Sequence, residues 1–426
     1  MELRVLLDMQ ACAQQMVNLI RRARTCIFYS EFVTQLHTSL PGHTVTLATL
    51  FKEALTRGVR VCMFVNPTEQ YGNSMHELTT IDGLHACFVK SDGYIPSPFK
   101  SIFGERYTNH HQKFLLVDDD TIMIGGVGVH PCRAGWLVLN GEAEPYYWHE
   151  IGISMPCSAE MAAWVRAQWD GNYTVPLPVP FLAGATEHNI ILHLIRTARS
   201  CIHLEAQLCI STASTSNQVL ATVVERVRQA YHNTGDGFHF IMLVNTHQPD
   251  EHKLVSTATT ATLHWSRRMM MNLAQARGVP ETFMAERVFI GTLEYNGVHI
   301  KVHSNLLIQD GHTMIRSSSN LTDRSLSPTP CDNELGVLVR DAAVADVQQI
   351  LWARYFNLPS AGPWTPAEAF HLMTRETGCV RTVRYYKHRD TCLLPDSVAD
   401  FVMRAIHKLP YFGSTRKINW SNDSVY

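Results

Sequence analysis

The sequence predicts a duplicated α/β fold, two α/β/α sandwiches with mixed sheets related by pseudo-twofold symmetry and sharing a site where they meet. Three observations predict it. The first is a constellation that occurs twice: His111-Gln-Lys113, Asp118, Gly125-Gly126-Val-Gly128, then His303-Ser-Asn305, Asp310, Ser317-Ser318-Ser-Asn320. Each pair of positions (111 and 303, 113 and 305, 118 and 310, 125 and 317) is 192 residues apart. The second is a wider repeat: LIRRARTCI at 19–27 answers LIRTARSCI at 194–202, an offset of 175, and MFVN ending at Asn66 answers MLVN ending at Asn245, an offset of 179. The drift in offset marks insertions between matched segments. The third is the alternation of apolar strand-like runs with helical patterns in both copies, which points to an α/β sandwich around a mixed sheet. The period is too long for a solenoid.

Each copy reads helix, strand, helix, strand, variable loop, histidine strand, second strand. The runs KFLLVD after His111 and NLLIQD after His303 are apolar, as buried strands are. Side chains two apart on a strand share a face, so His111 and Lys113 are expected to point together, as are His303 and Asn305. Asp118 and Asp310 lie seven residues on and lean to the other face or the strand end. Each opens a turn, and Asp310-Gly311 is a hairpin signal, so both aspartates read as architectural. The chain returns as TIMIGG and TMIRSSSN, where Gly125, Gly126, Ser317 and Ser318 would let backbone amides approach a ligand. Met269-Met270-Met271, on a predicted helix over 263–277, reads as core. The chain divides into halves at 1–175 and 176–360. An extension at 361–426 carries the basic-aromatic stretch RTVRYYKHR at 381–389.

With 426 residues and 46% hydrophobic content, the chain can bury one large core or two ordinary ones. A net charge of −2 weighs against a nucleic-acid partner. Eleven cysteines without a CxxC pair, and Arg4 and Asp8 where a signal peptide would be apolar, point to an intracellular, reducing setting. No stretch is long enough to span a bilayer, so the expectation is a soluble or peripherally membrane-associated chain.

Two histidines, a lysine and small residues suit phosphodiester cleavage through a covalent phosphohistidine. One imidazole attacks phosphorus while the other protonates the leaving alkoxide and later activates water or an alcohol. Lysine and amide donors would neutralise charge on the equatorial oxygens. This chemistry calls for no metal and no cofactor, and one monomer holds a complete site.

Over roughly residues 10–360 the chain resembles the phospholipase D superfamily with its paired HxK…D motifs, and within it the phospholipid-acting, eukaryotic-type branch. The residues carrying this are His110-His111-Gln-Lys113 with Gly125-Gly126, then Asn320-Leu-Thr-Asp323-Arg324-Ser325-Leu326 and Cys331-Asp332-Asn-Glu334, and Ile202-His-Leu-Glu205-Ala-Gln207. The resemblance implies a bilobal fold, a site at the seam, and hydrolysis or headgroup exchange of phospholipids at a membrane surface. By the same resemblance His111 is the nucleophile, His303 the general acid/base, Asn320 a site residue, and Glu150 and Glu334 the carboxylates that orient the histidines. Two positions depart from the pattern: Asn305 stands where the second motif has lysine, and Gly128 where a polar residue follows the glycines. Losing one such contact costs about 10²–10³ in rate. Two alternatives follow. One is a weak or inactive relative that binds phospholipid or partner proteins at membranes, as in some large DNA viruses. The other is a nuclease. His299 and Lys301 mimic HxK but lack the following aspartate. The aromatic loops 91–109 and 127–148 are placed to flank the site.

Overall fold

The computed structural model describes residues 3–32, 35–65, 78, 80–88, 110–128, 134–135, 147–172, 175–209, 217–245, 253–295, 297–326, 332–359 and 362–382. The loop 91–109, most of the aromatic loop 127–148 and everything beyond 382 lie outside them.

The first half runs β1 (Arg4–Leu6), α1 (Met9–Arg22), β2 (Cys26–Ser30), α2 (Leu47–Thr56), β3 (Arg60–Val65) and β4 (His85–Phe88). It continues through β5 (Phe114–Val117), β6 (Thr121–Ile124), β7 (Ala134–Gly135), β8 (Tyr147–His149), β9 (Gly152–Pro156) and α3 (Ala159–Trp169). The second half runs β10 (Phe181–Leu182), α4 (Gly184–Thr197), β11 (Cys201–Ala206), α5 (Val219–His232), β12 (His239–Val244), α6 (Lys253–Ala276) and α7 (Glu281–Arg287). Then come β13 (Val288–Tyr295), β14 (Val298–Val302), β15 (Leu306–Gln309), β16 (Thr313–Ser317), β17 (Gly336–Arg340), α8 (Ala343–Tyr355), α9 (Pro366–Thr374) and β18 (Val380–Thr382).

The duplication is visible in the strand order. The first sheet is β1-β9-β6-β5-β2-β3-β4, and the second contains β10-β17-β16-β15-β11-β12-β13 in the matching order. In both, the strand after the first helix pairs parallel to its successor and antiparallel to the strand that follows the motif histidine. The second sheet is longer. It gains β14, then β8 and β7 from the first half of the chain, and β18 alongside β13.

Period-two burial sorts the strands into layers. Ile27 and Tyr29 face the outer helices α1 and α2, while Cys26 and Phe28 face inward. Phe240 and Met242 face the outer layer of α4, α5 and α6; Ile241 and Leu243 face inward. The two inward faces share one core with Trp164 of α3 and Trp352 and Tyr355 of α8. The seam between the halves is therefore a packed hydrophobic layer, where burying a polar group is costly unless it finds a partner. Met270 is buried in the outer core, with Met269 and Met271 packed beside it. No helix among the described residues is long and apolar enough to cross a membrane.

Asp118 and Asp310 sit in matching left-handed turns, Asp118-Asp119 at φ 53° and 57° and Asp310-Gly311 at φ 53° and 65°. Asp118 accepts from the amides of Arg24, Thr25 and Cys26, and Asp310 from those of Arg199, Ser200 and Cys201. Each carboxylate ties its hairpin to the start of the neighbouring antiparallel strand, β2 or β11. These amide bonds, with the Thr25 hydroxyl, outweigh partial burial and hold the Asp118 carboxyl below its ordinary value.

Candidate active site

Both motif histidines lie just outside their strands, so strand alternation does not orient them. His111 and Lys113 precede β5, and His303 and Asn305 fall between β14 and β15. A cross-over of backbone places them instead. The His111 amide donates to the Asn333 carbonyl at 2.8 Å, and the His303 amide to the His149 carbonyl at 2.9 Å. Each is followed by a glutamate that takes the imidazole. His111 Nδ1 meets Glu334 Oε2 at 2.8 Å, and His303 Nδ1 meets Glu150 Oε2 at 2.6 Å. The pairing is reciprocal: each half supplies the carboxylate for the other half's histidine.

These carboxylates are almost wholly buried, Glu334 at 0% and Glu150 at 1% side-chain exposure. Burial alone would raise the Glu334 carboxyl. The charge and hydrogen bond of His111, with Lys113 and the Ser318 hydroxyl, outweigh it and hold the group below its ordinary value. An ionised carboxylate on Nδ1 keeps a proton there and directs chemistry at the ring to Nε2.

The two carboxylates differ in their second partners. Glu334 accepts from the Ser318 and Ser325 hydroxyls, each at 2.6 Å. Glu150 accepts from the guanidinium of Arg316 at 2.6 Å, a side chain with 0% exposure that also donates to the carbonyls of Ile151 and Ser317. Sequence reading missed Arg316. Its signal was a charge inside an otherwise apolar strand, where the first copy has Ile124.

Lys113 is buried and donates from Nζ to the His111 carbonyl at 3.0 Å. Burial pushes its ammonium below the ordinary value, against the opposing pull of Glu31, Glu334 and Glu150. Glu31, also missed in the sequence, is 3% exposed, and its Oε2 has no hydrogen-bond partner among the described residues. The adjacent Phe32 ring meets His111 edge-on at 5.1 Å.

Asn305 does not imitate the lysine it replaces. Its backbone is left-handed, φ 39°, its Oδ1 accepts from the Gln207 amide at 2.9 Å, and its Nδ2 donates to the Ser318 carbonyl at 3.2 Å. Both polar atoms of the carboxamide are engaged with main chain.

The small residues read as ligand-facing do internal work. The Gly125 and Ser317 amides donate to the carbonyls of Lys113 and Asn305, and the Ser318 amide to Leu335. A Cβ on Gly125 would come within 2.4 Å of the Arg316 guanidinium, and one on Gly126 within 2.3 Å of Cys12 Sγ. Glycine is required there by Arg316 and Cys12, at left-handed φ of 73° and 62°. Beneath the serine floor, Glu187 of α4 accepts from Ser319 Oγ at 2.7 Å. Burial raises its carboxyl to about 7, against the serine hydrogen bonds. The Asn320 Oδ1 is buried without a hydrogen-bond partner among the described residues.

Trp148 meets the His303 ring at 4.7 Å, and Lys301 Nζ lies 4.3 Å above the same indole. Among the described residues no cluster of histidine, cysteine, aspartate or glutamate is arranged to hold a metal ion.

No protein-family model matches the chain. The chain is similar to phospholipase D A of Dictyostelium discoideum, 26% identical over 171 residues, covering 36% of this chain and 13% of that protein. It is similar to phospholipase D zeta 1 of Arabidopsis thaliana, 28% identical over 182 residues, 37% of this chain and 16% of that protein. The matched stretches thus span less than a fifth of those two relatives. Among solved structures, phosphatidylserine synthase of Haemophilus influenzae superposes with a TM-score of 0.53 at 13% identity, covering 88% of this chain and 92% of its own. At that identity the likeness concerns the fold, and it extends over both halves. Sequence relatives and fold together support the phospholipase D superfamily for this chain, with the duplicated fold.

Proposed function

We propose that the chain is a phospholipase D-type phosphodiesterase that passes a phosphatidyl group from a phospholipid to water or an alcohol. The observation that carries this reading is the reciprocal pairing of each motif histidine with a buried glutamate of the other half. In the first step His111 Nε2 attacks phosphorus. The bond to the headgroup oxygen breaks as that oxygen takes a proton from His303 Nε2, and the freed headgroup alcohol departs. In the second step His303 takes the proton from water or an acceptor alcohol, whose oxygen attacks phosphorus as the P–N bond breaks. Glu334 would stabilise the positive charge on phosphorylated His111, and Lys113 the charge on the phosphoryl oxygens. Asn320 would act as a further site residue, and contact with lipid would be peripheral.

Purified protein incubated with phosphatidylcholine and a primary alcohol is expected to yield the phosphatidyl alcohol. His111→Ala is expected to reduce the product on the order of 10⁴-fold. Absence of transfer in wild type, or equal transfer by the variant, would refute the reading. A second reading, a fold retained to bind phospholipid with little turnover, is favoured by the engagement of Asn305 with main chain, which leaves the second motif without its cation. Vesicle co-sedimentation without product formation would select it. A nuclease is the weakest reading on the net charge of −2.

A further inference from the structure

Next to the backbone that carries His303 lies a buried polar cluster that the proposed chemistry does not use. Its centre is Glu205 on β11, 1% exposed. Glu205 accepts from His149 Nε2 at 2.8 Å, from the Ser304 hydroxyl and from the Tyr355 hydroxyl. His203 Nε2 lies 3.1 Å from its Oε1. Burial works to raise this carboxyl, but the charge and hydrogen bond of His149, with His203 close beside it, outweigh it and hold it well below the ordinary range.

Two of the partners of Glu205 come from stretches of chain that meet at His303. Ser304 follows His303 directly. His149 supplies the carbonyl that receives the His303 amide, and it precedes Glu150, the carboxylate on His303 Nδ1. Glu205 therefore joins the segment that carries the imidazole to the segment that carries its orienting group. The first half makes the same link without a charge. There Gln112, which follows His111, bonds directly to the side chain of Asn333, whose carbonyl receives the His111 amide. Ser30, the counterpart of Glu205 at the 175-residue offset, bonds His110 and the Gln112 carbonyl at 2.7 and 2.9 Å. Ser304 takes the place of the longer Gln112, and the carboxylate of Glu205 spans the gap to His149.

We propose that Glu205 is a positioning residue for His303, acting through Ser304 and His149 to set the imidazole against Glu150 and the leaving oxygen. This rests on the phosphodiesterase reading, in which His303 protonates the leaving alkoxide.

The test separates positioning from general support by the leaving group. An alkoxide such as choline needs a proton to depart, and p-nitrophenolate does not. In Glu205→Gln, kcat on phosphatidylcholine is expected to fall about 10–100-fold, a share of the 10²–10⁴ that acid–base catalysis provides, with KM little changed. First-turnover release of p-nitrophenol from phosphatidyl-p-nitrophenol should fall less than about twofold, because that step does not use the His303 proton. Equal losses on the two esters would overturn the proposal and leave Glu205 a structural residue. Should Glu205→Gln not fold, Ser304→Ala cuts the same link from its other end and is read the same way. Should wild type cleave neither ester, the phosphodiesterase reading fails by itself. The positioning claim is then decided by the nitrogen NMR signal of the His303 Nδ1–H, which Glu205→Gln should shift and Ser30→Ala should not. An unmoved signal in Glu205→Gln overturns it.

Discussion

The two halves share a strand order and differ in what supports their histidines. Around His111 the supports are mainly neutral: Ser318 and Ser325 on Glu334, and Ser30, Gln112 and Asn333 next to its backbone. Around His303 they are ionic: Arg316 on Glu150, and Glu205 with His149 next to its backbone. Matching positions make the contrast sharp. Where the first copy has Ile124, Cys12 and Ser30, the second has Arg316, Glu187 and Glu205, all buried. Where the first has Lys113, the second has Asn305. Duplication preserved the backbone register, which main-chain hydrogen bonds enforce, while the buried charges were free to diverge so long as each found a partner. The cation absent at 305 is present at 316, but its guanidinium is engaged with Glu150.

The strongest way to break this comparison is Arg316→Met. It removes the guanidinium from buried Glu150 and leaves His303 Nδ1 at its other oxygen. The expected loss is roughly 3–5 kcal/mol in urea unfolding, against about 1 kcal/mol for Ile124→Val at the matching position. Comparable losses would mean that the ionic support is no more demanding than the apolar one.

Glu187 sharpens the comparison through pH. Its folded value, about 7, lies above the ordinary 4.5. Its contribution is therefore fully present below about pH 4.5 and lost as pH rises through 7. At pH 8 Glu187→Gln is expected to be more stable than wild type by roughly 2–3 kcal/mol, with the difference vanishing near pH 4. Unfolding curves across that range measure it, and a difference independent of pH would contradict it.

The smallest effect is expected at the position where the two motifs differ most plainly in sequence. Asn305→Lys loses two main-chain contacts and places a longer side chain at left-handed φ. It should cost about 1–2 kcal/mol and produce no gain in turnover. A large gain in phosphatidyl transfer would show that the lysine reaches the phosphate despite that backbone. The reciprocal Lys113→Asn should lower turnover about 10²–10³-fold in the same assay.

Much of the fold was legible because its signals are local. The twin offsets announced the duplication, period-two and helical patterns placed the elements, and the acidic turns at Asp118 and Asp310 follow from residues adjacent in the chain. The glycine pair was legible as a close approach but not as an approach to Arg316 and Cys12, which lie on other strands and helices. The strand β8, sequence from the first half, joins the second sheet by pairing with β14, and no local periodicity states which sheet a short strand will extend.

By itself the sequence determined that one unit was built twice and that each copy brings a histidine to the end of a buried strand, since spacing and periodicity are properties of the chain alone. Only the tertiary structure decided that His111 takes Glu334 across 223 residues and His303 takes Glu150 across 153. The physical reason is that a buried imidazole and a buried carboxylate must be satisfied by whatever the packed seam brings within hydrogen-bond reach, and that choice is made between halves, not along the chain.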